Sequence, residues 1–223
     1  MNGCVVFDHD GTLVNSLAAV VQASNRVLSA FGRGPRPASE IVAGMVHATA
    51  PRLGLLAGIT DPSVQKEMAG LYGDLALRSS ELSVLYPGVA EMLTAIEGRG
   101  FSQAVLSNST GAFIRSVLDR LGVASRFISL VGEDDMPAPK PDPRGLLAIL
   151  RSAGCELGRA AYVGDSRTDL QTARAAGVRA IGVTWGAHPR EELEGLPFDL
   201  LVDSPSELVA ALRSWDGCSG EPS

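Results

Sequence analysis

The stretch GCVVFDHDGTLV, residues 3–14, indicates the fold of this chain more strongly than any other. Its first five residues, 3–7, are apolar and β-rich, and the run stops abruptly at Asp8. A short apolar run of this kind predicts a strand that is buried on both faces, as in a parallel sheet. The polar loop after it would then lie at the carboxyl end of the strand, where open parallel sheets bind their ligands.

The second half of the chain repeats this pattern. From Pro87 onward, short apolar runs alternate with helical patterns, and glycines mark the turns between them. The predicted strands are 103–106, 127–131, 160–163, 180–184 and 198–202, and the predicted helices are 89–99, 111–121, 143–153, one that ends at Ala176, and 205–214. Alternating strands and helices predict an α/β fold, in which helices flank a parallel sheet.

The segment between these two parts is helical in character. Residues 16–31 predict one helix that ends before Gly32, and the chain from there to about Leu85 shows helical patterns but no predicted strand. Loop signals lie at 32–39, 50–54 and 58–63. We therefore expect an α/β core of residues 1–15 and 86–216, a helical cap domain inserted at 16–85, and a frayed tail at 217–223.

The charge and cysteine content exclude several classes of protein. The 223 residues include 19 Lys and Arg against 25 Asp and Glu, a formal net charge of −6, so we expect no nucleic-acid partner and no membrane partner. No apolar run approaches the ~18 residues of a membrane-spanning helix. Cys4, Cys155 and Cys218 are too far apart for a disulfide framework or a zinc site, which predicts a cytoplasmic protein.

Four polar clusters each lie in a loop that follows a predicted strand. They are DHDGT at 8–12, SN at 107–108, Lys140 within PKPDP, and GDSRTD at 164–169. Because the carboxyl ends of parallel strands meet at one edge of the sheet, we expect these clusters to form one pocket. Lys140 is one of only two lysines in the chain, the other being Lys66.

The predicted pocket would collect four carboxylates, and that set predicts a metal ion. The carboxylates belong to Asp8, Asp10, Asp165 and Asp169. They repel one another unless a hard cation lies among them, and Mg²⁺ prefers oxygen ligands of this kind. The sequence therefore predicts Mg²⁺ as the cofactor.

The other groups of the pocket predict phosphate chemistry. Lys140 offers a point positive charge, and Ser107 with the backbone N–H groups that open the helix from Gly111 offers hydrogen bonds to phosphate oxygens. A cation, a lysine and a hydroxyl together describe a site of phosphoryl transfer. In such a site a carboxylate, here Asp8, is able to act as the nucleophile, and Asp10 as general acid and base.

At these residues the chain resembles the haloacid dehalogenase (HAD) superfamily, and within it the phosphoglycolate phosphatase-like members. Four motifs carry the resemblance, in the family order: FDHDGTLV at 7–14, LSNS at 106–109, PKPDP at 139–143 and VGDSRTD at 163–169. It extends through YPGV at 86–89, LVGEDDMPAPKPDP at 130–143, GVTWG at 182–186 and SPSEL at 204–208. The match covers the core, and it implies a Rossmann-like sheet with an inserted cap that closes over small substrates.

The resemblance also implies a role for each matching residue. Asp8 would be the nucleophile and a metal ligand, and Asp10 the general acid and base, with its backbone carbonyl on the metal. Thr12 would position the phosphate loop, Ser107 and Asn108 would bind the phosphoryl group, Lys140 would screen charge between phosphate and Asp8, and Asp165 would ligate the metal. Asp169 is a further candidate at the metal, acting through water or by orienting its neighbours.

Residues outside these motifs are less well defined. His47 and Arg52 lie in the predicted cap near HATAPRLG at 47–54, and they are candidate contacts to the substrate. The alternative is that they belong to a solvated helix end. His9 stands where the family has an apolar or aromatic residue, and we expect its side chain to be structural and to point away from those that flank it. Asn15 stands where Asp is common.

These observations predict a Mg²⁺-dependent phosphatase that hydrolyses a small phosphate monoester through an aspartyl-phosphate intermediate. Its partner would be a small phosphorylated metabolite, with phosphoglycolate favoured by the resemblance. Asp10 argues against dehalogenase and phosphonate hydrolase chemistry, because those relatives lack an acid at its position. Open alternatives are a phosphosugar mutase of the phosphoglucomutase kind, an inorganic pyrophosphatase, a receiver-like phosphoacceptor and a catalytically silent binding protein. The sequence does not indicate an oligomeric state.

Overall fold

The computed structural model describes residues 3–45 and 47–213. Within them the strands are β1 (Cys4–Phe7), β2 (Val14–Asn15), β3 (Val84–Leu85), β4 (Ser102–Leu106), β5 (Ser129–Val131), β6 (Ala160–Gly164), β7 (Arg179–Val183) and β8 (Leu200–Val202). The helices are α1 (Leu17–Ala30), α2 (Ala38–Gly44), α3 (Thr49–Ala57), α4 (Pro62–Arg78), α5 (Val89–Glu97), α6 (Gly111–Arg120), α7 (Arg144–Ser152), α8 (Arg167–Ala176), α9 (Arg190–Glu194) and α10 (Pro205–Arg213). The predicted tail at 217–223, Cys218 and the end of the predicted core lie outside the described residues.

A parallel sheet forms the centre of the protein. In the described part of the chain it has six strands in the order β5-β4-β1-β6-β7-β8. Val5 and Phe7 of β1 pack into one apolar cluster with residues of α5, α6 and α10, whereas Cys4 and Val6 pack into a second cluster with residues of α7 and α8. Burial on both faces explains why β1 is apolar at every position, and it confirms the predicted α/β fold.

Helices α1 to α4 form the helical insertion of this fold, and two short strands lie where the chain enters and leaves it. β2 and β3 pair antiparallel, with Val14 opposite Leu85 and Asn15 opposite Val84. The expectation that no strand occurs up to Leu85 is therefore wrong, because a strand of two residues is too short to show a periodicity. The predicted domain boundaries, 15/16 and 85/86, fall at this β2–β3 ribbon and stay predictions.

The predicted loop at 50–54 is also wrong, because these residues lie inside α3. Pro51 is the third residue of that helix, where a backbone N–H has no acceptor within the helix, so proline costs no hydrogen bond there. Gly54 packs closely against α4, since a Cβ at this position would lie 2.4 Å from Nε2 of Gln65. In this segment, therefore, proline and glycine do not mark a turn: the first suits the start of a helix, and the second allows two helices to pack closely. The short helix α9 had no counterpart in the prediction.

No helix within the described residues combines the length and the apolar character that crossing a lipid bilayer requires.

Candidate active site

The loops that follow β1, β4 and β6 meet at one edge of the sheet. Phe7 of β1 is paired with Val105 of β4 and Val163 of β6, so the residues after these strands lie side by side. Asp8 continues the pairing by one step, its N–H donating to the carbonyl of Val163 at 2.8 Å. The predicted motif loops are therefore brought together, with Asp8 at the centre.

Lys140 is held by two carboxylates at this edge. Its ammonium lies 2.9 Å from Oδ1 of Asp8 and 2.7 Å from Oδ1 of Asp169, and it also donates to the hydroxyl of Tyr162 at 3.0 Å. Lys140 is only 5% exposed. Burial acts to lower the pKa of Lys140, but Asp169 and Asp8 outweigh it and hold that pKa well above its usual value. The lysine therefore stays charged.

Asp8, Asp165 and Asp169 form an acidic cluster that fits a metal ion. All three are buried, and one carboxylate oxygen from each lies within 4.8 Å of the others. Burial raises the pKa of Asp8 to about 8; Lys140 opposes this shift, whereas the charges of Asp169, Asp10 and Asp165 add to it. A cation among these oxygens would offset the repulsion, and the oxygen-only donor set suits Mg²⁺.

Gly11 is required by the closeness of the first and fourth motifs. Its φ of 79° lies in the left-handed region, and a Cβ at this position would stand 2.3 Å from Oδ2 of Asp165. The backbone of the first motif therefore runs directly against the Asp165 carboxylate. Any side chain at position 11 would separate the two loops that carry the acidic cluster.

Asp169 is oriented by its own helix as well as by Lys140. It is the third residue of α8, whose N-cap is Ser166, and its Oδ2 accepts hydrogen bonds from the N–H and the hydroxyl of Ser166 at 3.0 and 2.5 Å. The N–H of Asp169 in turn donates to the hydroxyl oxygen of Ser166 at 3.3 Å, and this reciprocal arrangement is a capping box. Because Oδ1 is bound to Lys140, both oxygens of Asp169 already have protein partners, which favours the orienting role over direct ligation.

Asp10 bridges the first motif, the second motif and the start of the helical insertion. Its Oδ2 accepts a hydrogen bond from the hydroxyl of Ser109 at 2.6 Å, and its Oδ1 accepts one from Ser16, just before α1. Oδ1 also lies 3.1 Å from Nδ1 of His9. Burial acts to raise the pKa of Asp10, but His9 and the two serine hydroxyls outweigh it and hold that pKa below its usual range.

The expectation that the His9 side chain points away from its neighbours is wrong in part, because its ring nitrogen contacts Asp10. The ring is fully buried and meets Phe113 edge to face, with ring centroids 5.7 Å apart. β1 ends at Phe7, so the strict alternation of a strand no longer applies two residues later. His9 is thus packed in the core and touches the first motif's second carboxylate.

The second motif carries one residue aimed at the pocket and one that joins two loops. Ser107 is buried, lines the cavity, and accepts a hydrogen bond from the N–H of Ser109 at 3.2 Å. The Asn108 side chain accepts from the N–H of Lys140 at 2.8 Å and donates to the carbonyl of Lys140 at 3.2 Å. Asn108 therefore fixes the lysine loop, and any contribution of its amide to phosphate binding would compete with these bonds.

Thr12 lies behind the pocket rather than in its wall. It is 1% exposed, and its carbonyl accepts a hydrogen bond from the indole N–H of Trp185 at 3.0 Å. It is absent from the described residues that line the cavity. This placement suits the predicted role of supporting the phosphate loop from within the core.

The helical insertion supplies the opposite wall of the cavity. The cavity measures about 40 Å³, and from the insertion it is lined by Met45, His47, Thr49 and Arg52. Arg52 is 6% exposed and its guanidinium lies 4.7 Å from the ring centroid of Tyr72. Its Nε and Nη2 are buried without a hydrogen-bond partner among the described residues. The pair predicted in the cap, His47 and Arg52, therefore both reach the site.

Further residues at the site were not predicted from the sequence. Ser109 stands inside LSNS and could have been found there, whereas Tyr162 lies in an apolar strand. His188 lines the cavity, with Nδ1 3.3 Å from Oδ2 of Asp165, and Thr49 donates its N–H to Glu133 at 3.3 Å. The position of His188 and the contact between Thr49 and Glu133 depend on how segments that are distant in the sequence pack together. No local sequence pattern predicts such packing.

The fold and these loops together define a hydrolase of the haloacid dehalogenase-like class. A family model described as haloacid dehalogenase-like hydrolase matches residues 5–183, and the chain belongs to this family. Membership excludes the receiver-like phosphoacceptor, which is a different family.

Similar proteins agree with this family. The chain is 33% identical over 222 residues to a phosphoglycolate phosphatase of Pseudomonas putida, covering 96% of this chain and 79% of that protein. It is 32% identical over 212 residues to phosphoglycolate phosphatase 1 of Pseudomonas aeruginosa, covering 92% and 78%. The crystal structure of a haloacid dehalogenase-like hydrolase of Bacteroides fragilis is similar with a TM-score of 0.87 and 27% identity, covering 93% of this chain and all of that one. The enzyme is a phosphatase, that is, a phosphoric monoester hydrolase.

Proposed function

We propose that the protein hydrolyses a small phosphate monoester of the phosphoglycolate type, with Mg²⁺ as cofactor and Asp8 as nucleophile. The observation that carries the proposal is the position of Asp8. Its carboxylate contacts Lys140 at 2.9 Å and belongs to the buried acidic cluster with Asp165 and Asp169. It stands at the carboxyl end of the central strand, in the cavity that Ser107 also lines.

In the first step, an oxygen of Asp8 attacks phosphorus, and the bond between phosphorus and the ester oxygen breaks. The contacts of Asp10 hold its pKa low in the absence of substrate, and the negative charge of the bound phosphoryl group would raise that pKa. Asp10 then gives a proton to the departing oxygen, so that an alcohol leaves and an aspartyl-phosphate remains. Lys140 neutralises charge between Asp8 and the phosphoryl group, and the hydroxyl of Ser107, which lines the cavity, binds a phosphoryl oxygen. Mg²⁺, held by Asp8, Asp165 and the Asp10 carbonyl, would supply further charge neutralisation in this site.

In the second step, water attacks phosphorus and the bond from phosphorus to Asp8 breaks. Asp10, now ionised, takes a proton from that water, so inorganic phosphate leaves and both carboxyl groups return to their first state. The hydroxyls of Ser16 and Ser109 hold Asp10 in place for these transfers. The mechanism needs no residue beyond those already in the pocket.

The insertion supports an acidic leaving group, because it places a basic side chain in the wall of the cavity opposite Asp8. Arg52 adds a buried guanidinium with unpaired donors, and such a group is suited to binding a carboxylate. Phosphoglycolate carries both a phosphate and a carboxylate.

A screen of small phosphate esters tests this function. Phosphoglycolate, p-nitrophenyl phosphate, sugar phosphates, nucleotides and pyrophosphate are assayed for phosphate release with Mg²⁺ and with EDTA, and a glucose 1-phosphate arm is followed for isomerisation. We expect Mg²⁺-dependent release, fastest with phosphoglycolate. Isomerisation in place of release would instead indicate the mutase, release from pyrophosphate alone the pyrophosphatase, and no turnover a silent binding protein.

Replacing Asp10 by asparagine should slow turnover by roughly 10²-fold or more, because general acid–base catalysis of this kind contributes about 10²–10⁴-fold. Asparagine preserves the shape of the side chain, so the affinity for orthophosphate should stay within about threefold. Steady-state kinetics with p-nitrophenyl phosphate and product inhibition by phosphate measure both quantities. Full activity of the Asp10→Asn variant would remove Asp10 from the mechanism.

Replacing Arg52 by methionine should raise the KM for phosphoglycolate by about 10- to 100-fold, since hydrogen bonds to charged groups contribute about 1.5–3 kcal/mol. The KM for p-nitrophenyl phosphate, which has no carboxylate, should change by less than about threefold. Arg78→Met, an exposed arginine on α4, is the matched control. Equal losses on the two substrates would show that Arg52 does not select the carboxylate.

The sequence also leads us to propose that helices α1 to α4 act as a lid and that the enzyme works in the cytoplasm. The contact between Thr49 of α3 and Glu133 supports the lid, because it joins the insertion to the core beside the cavity. Cys4 and Cys155 are free thiols, in keeping with a reducing compartment.

A further inference from the structure

Tyr162 lies beneath the pocket, and it has no role in the reaction proposed above. It is the third residue of β6 and is 1% exposed, on the face of the sheet that packs against α7 and α8. A buried tyrosine hydroxyl needs hydrogen-bond partners. Those that Tyr162 finds belong to the second and third motifs.

The hydroxyl joins Lys140 to the end of the strand that precedes Ser107. It accepts a hydrogen bond from the ammonium of Lys140 at 3.0 Å, and it donates one to the carbonyl of Leu106 at 2.7 Å. Leu106 is the last residue of β4, so Ser107 follows it directly. One side chain therefore connects the lysine of the pocket to the backbone that presents the phosphate-binding loop.

We propose that Tyr162 is a positioning residue, which sets the place of the Lys140 ammonium relative to Asp8 and to the Ser107 loop. The inference rests on the proposed function of Lys140 in the reaction.

The number of donors on Lys140 makes this contact necessary. An ammonium has three N–H donors. Those of Lys140 hydrogen-bond to Asp169 and to the Tyr162 hydroxyl, and Asp8 adds an ion-pair contact at 2.9 Å. Without the hydroxyl, one donor would remain unpaired in a buried place, and the ammonium would shift towards the two carboxylates. Because the stem of a lysine is flexible, two acceptors of like charge do not fix one position.

Tyr162→Phe is the test, because it removes the hydroxyl and keeps the ring that fills the core. With p-nitrophenyl phosphate and Mg²⁺, we expect kcat to fall by about 10-fold or more, and KM to change by less than about threefold, since the lost contact fixes a catalytic group rather than the substrate. A purely structural role would lower the melting temperature and leave kcat per folded molecule unchanged.

Gln103→Leu provides a matched control. Gln103 is a buried residue of β4, and its amide donates to the carbonyl of Leu93 at 3.1 Å, so this variant also removes one buried bond from a side chain to a backbone carbonyl. It does not touch Lys140. We expect a similar loss of stability, with kcat within about twofold of the wild type.

A second measurement needs neither metal nor substrate. The chain has two lysines, so protein grown with ¹⁵Nζ-lysine gives at most two ammonium signals by NMR, and Lys66→Arg assigns them. Lys66 is exposed and serves as the internal reference. In Tyr162→Phe the Lys140 signal should shift and its protons should exchange faster with water, whereas Gln103→Leu should leave both unchanged.

The outcomes separate this inference from the proposed function. If the wild type hydrolyses no ester, the proposed function fails, and the ammonium signal still decides whether Tyr162 positions Lys140. If Tyr162→Phe keeps kcat within about twofold, or leaves the Lys140 signal where it is, the inference is overturned. A shifted signal, together with a kcat that falls in an active enzyme, supports it.

Discussion

Asp8→Asn should abolish Mg²⁺-dependent hydrolysis of p-nitrophenyl phosphate, with a fall in kcat of at least about 10³-fold. An amide oxygen is a far weaker nucleophile than a carboxylate, and it cannot form a stable phosphoryl adduct. The substitution also removes an ionisable carboxyl group from the buried acidic cluster. Because burial already raises the pKa of Asp8 to about 8, we expect the metal-free variant to fold at least as stably as the wild type.

Two measurements make this test specific for the nucleophile. Wild-type enzyme quenched in acid during turnover should show a mass increase of one phosphoryl group, located on the peptide that contains Asp8, and the variant should not. Asp119→Asn, an exposed aspartate on α6, is the matched control and should keep full activity. Substantial turnover by Asp8→Asn, or a phosphoryl group on another residue of the wild type, would contradict the assignment.

The fold could be predicted because most of its elements carry a local pattern. β1 is apolar at all four positions since it is buried on both faces, and the loop after it must be polar since it faces the ligand edge. Glycine marks several helix ends, as at Gly177 after α8, where the φ of 71° is left-handed. These features depend on residues that are close in the sequence, so they can be predicted without knowledge of the tertiary contacts.

Elements that depend on distant contacts could not be predicted in this way. β2 and β3 have two residues each, and they exist only because the two ends of the insertion pair with each other. Pro51 and Gly54 indicated a loop, yet they lie in α3 because of their place in its first turn and its packing on α4. Tertiary context overrides local propensity at these positions.

The candidate site shows the same division. The four motif loops lie in local patterns and were all predicted to meet, as they do. Arg52 was a candidate only by its position in the chain, and its burial against Tyr72 with unpaired donors emerges from the packing of α3 on α4. Tyr162 carried no signal, because a tyrosine in an apolar strand is indistinguishable from a core residue until its hydroxyl partners are known.

The net charge of −6 also gains a physical interpretation from the pocket. An acidic protein is expected to repel an anionic substrate at long range, but screening limits this effect to about 10 Å at 0.1 M salt. Within the cavity the decisive charges are local. Lys140 and Arg52 supply positive charge from the core and from the insertion, and a cation at the acidic cluster would add to it.

Lys140→Met should lower kcat by about 10³-fold, because a buried charge aimed at the reacting phosphoryl group contributes on this scale. It should also cost stability in EDTA. The substitution leaves Asp8 and Asp169 buried without their shared counter-charge, and breaking a buried ion pair in this way costs about 3–5 kcal/mol. For a chain of this size, that corresponds to a fall in melting temperature of roughly 6–20 °C.

The effect of Mg²⁺ on the melting temperature distinguishes the loss of a counter-charge in Lys140→Met from a simple loss of packing. A cation at the acidic cluster would replace part of the missing positive charge, so Mg²⁺ should raise the melting temperature of Lys140→Met by more than it raises that of the wild type. Lys66→Met, at the exposed second lysine, is the control and should change neither activity nor stability measurably. If Lys140→Met kept its activity, or if Mg²⁺ stabilised variant and wild type equally, the role of Lys140 as the counter-charge of Asp8 would be wrong.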